Sequence, residues 1–148
     1  MSAHGVRSPI VVTHEGGVKF AAQIRSHRVV VDQPLRGGGA DAGPAPIELL
    51  GASLGTCVAL YVQQFCHTRG LPCDGLRVEV EQYGAANPNR IGTFGVRVLL
   101  AHELPAEYAA MLERVARSCP AHNTLAHGAE VEVSIVTQAE RRVVQQAT

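Results

Sequence analysis

Thiols and an imidazole are the most reactive groups of this sequence, and two cysteines stand out by their surroundings. Cys57 lies in a long apolar run, where a free cysteine is most often a small buried hydrophobe. Cys119 precedes Pro120, and proline favours the first turn of a helix. We expect the unpaired N–H groups and the dipole of that helix to lower the pKa of Cys119. His122 is close enough in sequence to act as a charge or as a hydrogen-bond partner.

Two thiols that are far apart in sequence suit a peroxide-reducing cycle. One thiolate attacks the O–O bond and becomes a sulfenic acid, and the second thiol condenses with it to a disulfide. Two alternatives stay open. The protein could be non-catalytic and bind an apolar small molecule in a pocket at a dimer interface, or Cys119 and His122 could form a Cys–His hydrolase.

The remaining cysteines and histidines give weaker signals. Cys66 follows Cys57 by nine residues, which places it on the opposite side of a helix, and Cys73 falls in a predicted turn. We interpret both as structural or incidental. Cys119, His122 and His127 would supply only half of a zinc site, so no metal and no cofactor is expected.

The element that must position Cys57 is the stretch from Pro44 to Gly70. Prolines precede it and a glycine follows it, which are start and stop signals of a helix. Its apolar residues recur on nearly every face, which is typical of a helix that is buried all round. Its small residues Gly51 and Gly55 predict close packing against a second helix. One chain of this length has difficulty covering such a helix, so we expect a homodimer.

The rest of the chain predicts an α+β fold with antiparallel sheets, in one domain spanning residues 1–148. Residues 1–9 and 137–148 are expected to be mobile ends. The other predicted segments are listed in chain order: strands at Ile10–Thr13, Val18–Ile24 and Arg28–Asp32, a loop at Gln33–Gly43, strands at Leu76–Gln82 and Thr93–His102, helices at Pro105–Ser118 and Pro120–Leu125, and a closing strand at Glu130–Val136.

Composition excludes several classes of function. The net charge is zero, so neither nucleic acid nor an anionic membrane surface is an expected partner. No run reaches the length of a membrane span, and the N-terminus lacks the apolar core of a signal peptide. We therefore expect a cytoplasmic protein, whose four cysteines stay reduced.

Two motifs together resemble the OsmC/Ohr family of osmotically inducible and organic hydroperoxide resistance proteins. The first runs from Gly43-Pro44-Ala45-Pro46-Ile47-Glu48-Leu49-Leu50 to Leu54-Gly55-Thr56-Cys57. The second is Cys119-Pro120-Ala121-His122-Asn123-Thr124-Leu125. The resemblance covers roughly Val18–Val136.

The resemblance implies an intertwined homodimer, in which antiparallel sheets wrap around two long central helices. It implies reduction of organic hydroperoxides, with Cys57 as the attacking residue and Cys119 as the resolving one. The reductant would be an external dithiol, such as a lipoyl group. A nearby cation (Arg36, Arg28 or Lys19) would lower the pKa of the attacking thiol.

The sequence departs from the family's peroxidases at two places. Lys19 stands near the first hairpin turn, where those peroxidases carry an arginine, and lysine lacks the planar fork of a guanidinium. Their glutamate stands ten residues before the cysteine, and Ile47 occupies that position here. The neighbouring Glu48 either favours the helix dipole as a first-turn acid or acts near the site. His122 would then be a feature of an OsmC-like subgroup.

Overall fold

The computed structural model describes residues 8–137, so most of the two ends expected to be mobile lies outside the described residues. Five strands and three helices follow one another in the order expected. They are β1 (Val11–Gly16), β2 (Lys19–Ile24), β3 (His27–Val31), α1 (Pro46–Thr68), β4 (Arg77–Ala85), β5 (Arg90–Leu99), α2 (Ala106–Ala116) and α3 (Pro120–His127). A short 3-10 turn, Leu35–Gly37, lies in the predicted loop. The predicted α+β class is confirmed.

The strands form two antiparallel sheets. The first has the order β1-β2-β3 and the second is the β4-β5 hairpin. Gly16 and Gly17 take positive φ angles of 109° and 55° at the first hairpin turn, a backbone conformation that glycine adopts at little cost. In the second sheet Val78 pairs with Val98 and Val80 with Val96, which gives one apolar face.

Helix α1 begins and ends where the prolines and the glycine predict. Pro46 occupies the first turn, and the Glu48 carboxylate accepts the backbone N–H of Ala45 at 2.8 Å. At the other end Gly70 has a φ of +63°, and the N–H of Leu71 bonds to the Cys66 carbonyl at 2.9 Å. A left-handed residue of this kind satisfies the last carbonyls of a helix.

The core lies between α1 and the elements that follow it. Buried residues of α1 form it with Leu112 of α2 and with Cys119. Strands β4 and β5 pack on the same helix. By length and composition alone α1 could cross a membrane, and the core helix of a globular protein passes the same test.

The small residues of α1 face a strand of the same chain rather than the second helix that the sequence predicts. A Cβ atom on Gly51 would lie 2.7 Å from Gln82 Nε2, and one on Gly55 would lie 2.9 Å from Val80 Cγ2. Both neighbours belong to β4. The glycines therefore let the β4-β5 sheet approach α1 closely.

The predicted closing strand at Glu130–Val136 is wrong for the described single chain, since this segment has no strand structure. A strand needs a neighbouring strand to receive its backbone hydrogen bonds. This segment pairs with no strand of residues 8–137, and its apolar side chains Val131, Val133 and Ile135 are 78–88% exposed.

The β1-β2-β3 sheet is likewise largely separate from the helical core. The elements with substantial packing on α1 are β4, β5, α2 and α3. Large apolar side chains of the first sheet, such as Val11, Val12 and Phe20, are exposed. Apolar surface of this extent is unusual in a stable monomer.

Candidate functional site

The fold brings Cys57 and Cys119 together, although 61 residues separate them in sequence. Cys57 lies in the middle of α1 and is half-buried, whereas Cys119 is fully buried at the start of α3. Cys57 packs against the core cluster that contains Cys119, and its thiol is close enough to raise the pKa of Cys119. Both cysteines are reduced in this structure. Packing of α3 against α1 creates this pair of thiols.

Cys119 is the N-cap residue of α3. Its sulfur accepts the backbone N–H of His122 at 3.3 Å, and Pro120 follows in the first turn. A cap of this kind satisfies one of the unpaired N–H groups at the start of a helix.

The expected lowering of the Cys119 pKa is wrong. Burial raises the pKa of this thiol, and the neighbouring Cys57 thiol raises it further. The N–H groups of His122 and Ala121 act in the opposite direction, as expected at a helix N-terminus, but they are outweighed. Cys119 is therefore held as a neutral thiol, and Cys57 is the more accessible sulfur of the pair.

His122 donates its backbone N–H to the Cys119 sulfur, and no hydrogen bond joins its ring to that sulfur within the described part of the chain. The Nδ1 atom is buried and has no hydrogen-bond partner among the described residues. The ring lines a cavity of about 490 Å³. A Cys–His hydrolase would need the His122 ring bonded to the Cys119 sulfur, so the arrangement does not support this function.

This cavity lies between β5 and α2 and has both apolar and polar walls. Its lining residues are Val58, Phe94, Val96, Val98, Ala109, Leu112, Glu113, Ala116, Arg117 and His122. Val58 of α1 and His122 of α3 are lining residues, whereas Cys57 and Cys119 are not. The ion pair of Arg117 with Glu113, at 2.7 Å, is exposed and contributes little to stability.

The other predicted site residues are not gathered around the thiols. Glu48 caps the first turn of α1 through the Ala45 N–H, which supports its interpretation as a first-turn acid. Lys19 and Arg28 both pair with Glu15 in the first sheet, and Arg36 is exposed in the 3-10 turn. Their roles in the site stay predictions.

Sequence analysis missed a second pair of neighbouring thiols, Cys66 and Cys73. The sequence signal for this pair was a separation of seven residues, with Gly70 between them to reverse the chain at the end of the helix. Within residues 8–137 no group of three or more His, Cys, Asp or Glu side chains could hold a metal ion.

An acid that the sequence did not single out organises the loop after β3. Asp32 is 2% exposed, and its carboxylate accepts the backbone N–H groups of Gln33, Ala40 and Ala42 at 2.8–3.1 Å. These bonds, led by the one from Ala42, lower the pKa of Asp32. The loop that carries Arg36 is thus tied to the end of β3.

Solved structures share this fold across most of the chain. A protein from Psychrobacter arcticus, described as an osmotic stress induced and detoxification response protein, has a TM-score of 0.73 and 21% identity, over 84% of this chain and 91% of its own. The organic hydroperoxide resistance protein OsmC of Legionella pneumophila has a TM-score of 0.61 and 15% identity, over 90% and 100%. An OsmC-like protein of Mycoplasma pneumoniae has a TM-score of 0.62 and 20% identity, over 82% and 88%.

The sequence itself matches a family model. No curated protein matches it at a significant level. The model of the OsmC-like protein family matches residues 38–134, which include α1, the second sheet, Cys57 and Cys119. This chain belongs to the OsmC-like protein family.

Proposed function

We propose that this protein reduces organic hydroperoxides with Cys57 as the attacking thiol and Cys119 as the resolving thiol. The observation that carries the proposal is that α3 packs on α1, with Cys119 in the buried core and Cys57 packed against that core. Family membership and the fold shared with organic hydroperoxide resistance proteins support it. The protein would be a cytoplasmic oxidoreductase of the oxidative stress response.

The two thiols differ in the way that the cycle requires. The Cys57 thiolate attacks the O–O bond of ROOH, becomes a sulfenic acid and releases ROH once the leaving oxygen takes a proton. The neutral Cys119 thiol then attacks the sulfenic sulfur, so that a disulfide forms and water leaves. An external dithiol, such as a lipoyl group, restores both thiols by exchange. Burial of Cys119 protects the second thiol from direct oxidation.

The cavity between β5 and α2 supports an apolar substrate. Side chains such as Phe94, Val96 and Leu112 can pack against an alkyl chain, which hydrogen peroxide does not have. We infer alkyl or fatty acid hydroperoxides as the substrate class.

A cation that stabilises the Cys57 thiolate would come from a second subunit. In the described chain no Lys or Arg is among the groups that shift the Cys119 pKa. The β1-β2-β3 sheet carries Lys19 and Arg28 and leaves apolar residues exposed. We infer an intertwined homodimer in which this sheet covers the partner's α1 and brings a cation to Cys57.

The experiment is a thiol count and peptide map after one equivalent of cumene hydroperoxide. We expect two thiols to be lost and a Cys57–Cys119 bridge to link the tryptic peptides 37–69 and 118–141. The matched control is Cys57→Ser, which should consume hydroperoxide far more slowly. Equal rates for wild type and this variant would end the proposal.

A second candidate is a non-catalytic protein that binds an apolar small molecule. The cavity of about 490 Å³ and its apolar wall favour it. Four thiols unchanged after minutes with hydroperoxide, together with saturable binding of an alkyl fluorophore, would select this function.

A further inference from the structure

A second dithiol lies at the C-terminal end of α1. Cys66 is in the last turns of the helix, and Cys73 is in the turn that leads to β4. Between them the chain reverses at Gly70, while the N–H groups of Arg69 and Leu71 both bond to the Cys66 carbonyl. The N–H of Gly70 bonds to the His67 carbonyl, so three N–H groups in a row hold the reversal tight and return Cys73 towards the helix end.

The two side chains share one apolar environment. Cys66 is completely buried in the core, and Cys73 is half-buried and packs against that core. The Cys73 thiol is close enough to raise the pKa of Cys66, and both cysteines are free. Because the two thiols are neighbours, these cysteines are more than isolated small apolar side chains in the core.

This pair is separate from Cys57 and Cys119. Cys66 follows Cys57 by nine residues, which is about 14 Å along a helix axis. Direct thiol–disulfide exchange needs sulfur atoms in contact, so the two pairs cannot exchange within one subunit without a large movement. The inference about the second pair therefore stands independently of the proposed peroxidase cycle.

We propose that Cys66 and Cys73 are a redox modification site, which an organic hydroperoxide converts to a disulfide. Cys73 is the more exposed sulfur and attacks ROOH, so that a sulfenic acid forms and ROH leaves. The Cys66 thiol then attacks that sulfenic sulfur, which gives the Cys66–Cys73 disulfide and releases water. A small dithiol reverses the reaction by exchange. The disulfide ties the end of α1 to the turn before β4.

The order of attack follows from burial. A thiolate attacks a hydroperoxide far faster than a thiol does, and burial raises the pKa of Cys66. Cys66 is therefore protected from oxidant until its neighbour has been oxidised. This asymmetry resembles that of Cys57 and Cys119, where the fully buried thiol is also the second to react.

The test uses Cys57→Ser/Cys119→Ser, in which only the second pair remains. After excess cumene hydroperoxide we expect both thiols to be lost, a mass decrease of about 2 Da for the two hydrogen atoms, and a bridge between tryptic peptides 37–69 and 70–77. Trypsin separates these peptides at Arg69, which lies between the two cysteines. Dithiothreitol should restore both thiols.

Two matched controls assign the roles. Adding Cys73→Ser should slow the oxidation of the remaining thiol at least about tenfold, because Cys66 is buried. Adding Cys66→Ser instead should leave a Cys73 sulfenic acid that dimedone traps.

Wild-type protein gives a second measurement if the double variant does not fold. Fragment spectra of the peptides linked to 70–77 then locate the bridge at residue 66 or 57. The proposal is overturned if both thiols stay free in native protein but react in urea. It is also overturned if Cys73 bridges only Cys57, or only a second chain.

Discussion

Replacing Gly55 by alanine tests whether the β4-β5 sheet fixes the position of α1 and hence of Cys57. Two effects oppose each other. Alanine in a helix interior is favoured over glycine by about 1 kcal/mol. The new Cβ would lie 2.9 Å from Val80 Cγ2, which is too close for two carbon atoms. Val80 is β-branched and restricted at χ1, so relief requires movement of the strand.

We expect the steric clash with Val80 to outweigh the gain in helix propensity. Overpacking of a tight interface costs about 1–3 kcal/mol, so Gly55→Ala should lower the free energy of unfolding by up to about 2 kcal/mol. The matched control is Gly51→Ala, whose Cβ meets the flexible end of Gln82. There the gain in helix propensity is offset by loss of the Gln82–Ile47 hydrogen bond, worth about 1 kcal/mol, which leaves stability nearly unchanged.

The assay is urea unfolding followed by circular dichroism. All three proteins are compared at one concentration, because the stability of the proposed dimer would depend on concentration. If Gly55→Ala is as stable as wild type, or more stable, then Val80 yields without cost and the sheet does not fix α1. If Gly51→Ala is the more destabilised of the two, the contact of Gly51 with Gln82 is tighter than that of Gly55 with Val80, which contradicts the reasoning.

Three further predictions concern Cys119, the buried thiols and Asp32. Cys119→Ser should stop turnover while the first reaction persists, so that dimedone traps a Cys57 sulfenic acid; a trapped fraction no higher than in wild type would contradict this. Burial raises the pKa values of Cys66 and Cys119, so these thiols ionise in the unfolded chain before they ionise in the folded one. The unfolding free energy of reduced protein should therefore fall as pH rises above about 8.5. Cys66→Ala/Cys119→Ala should flatten that slope in urea titrations. The pKa of Asp32 is lowered in the folded protein, so Asp32 adds to the unfolding free energy at pH values above its unfolded pKa of about 3.9. This stabilisation is lost as pH falls through the folded pKa. Asp32→Asn should flatten the acid limb of the same stability curve.

The sequence predicts those features whose causes are local. Pro46, Glu48 and Gly70 act within one turn of their own positions, so the bounds of α1 could be read directly. Alternation of apolar residues likewise predicts β4 and β5, because one face of their hairpin packs on the core.

Features that depend on distant parts of the chain were not predictable in this way. The raised pKa of Cys119 results from burial beneath α1, which no residue near Cys119 reveals. The segment Glu130–Val136 alternates like a strand but has no partner strand in the described chain. The contact between Cys66 and Cys73 depends on the direction in which the chain leaves α1.

If Cys119 forms the proposed disulfide, the N-cap bond of α3 would couple the stability of this helix to the redox state of the protein. A single sulfur atom, that of Cys119, accepts the His122 N–H and would also form the bond to Cys57. A sulfur engaged in a disulfide is held by its new bond and is a poorer acceptor for that N–H. Each oxidation would therefore weaken the start of α3 and each reduction would restore it, so hydrogen exchange at the His122 amide reports the redox state of the site.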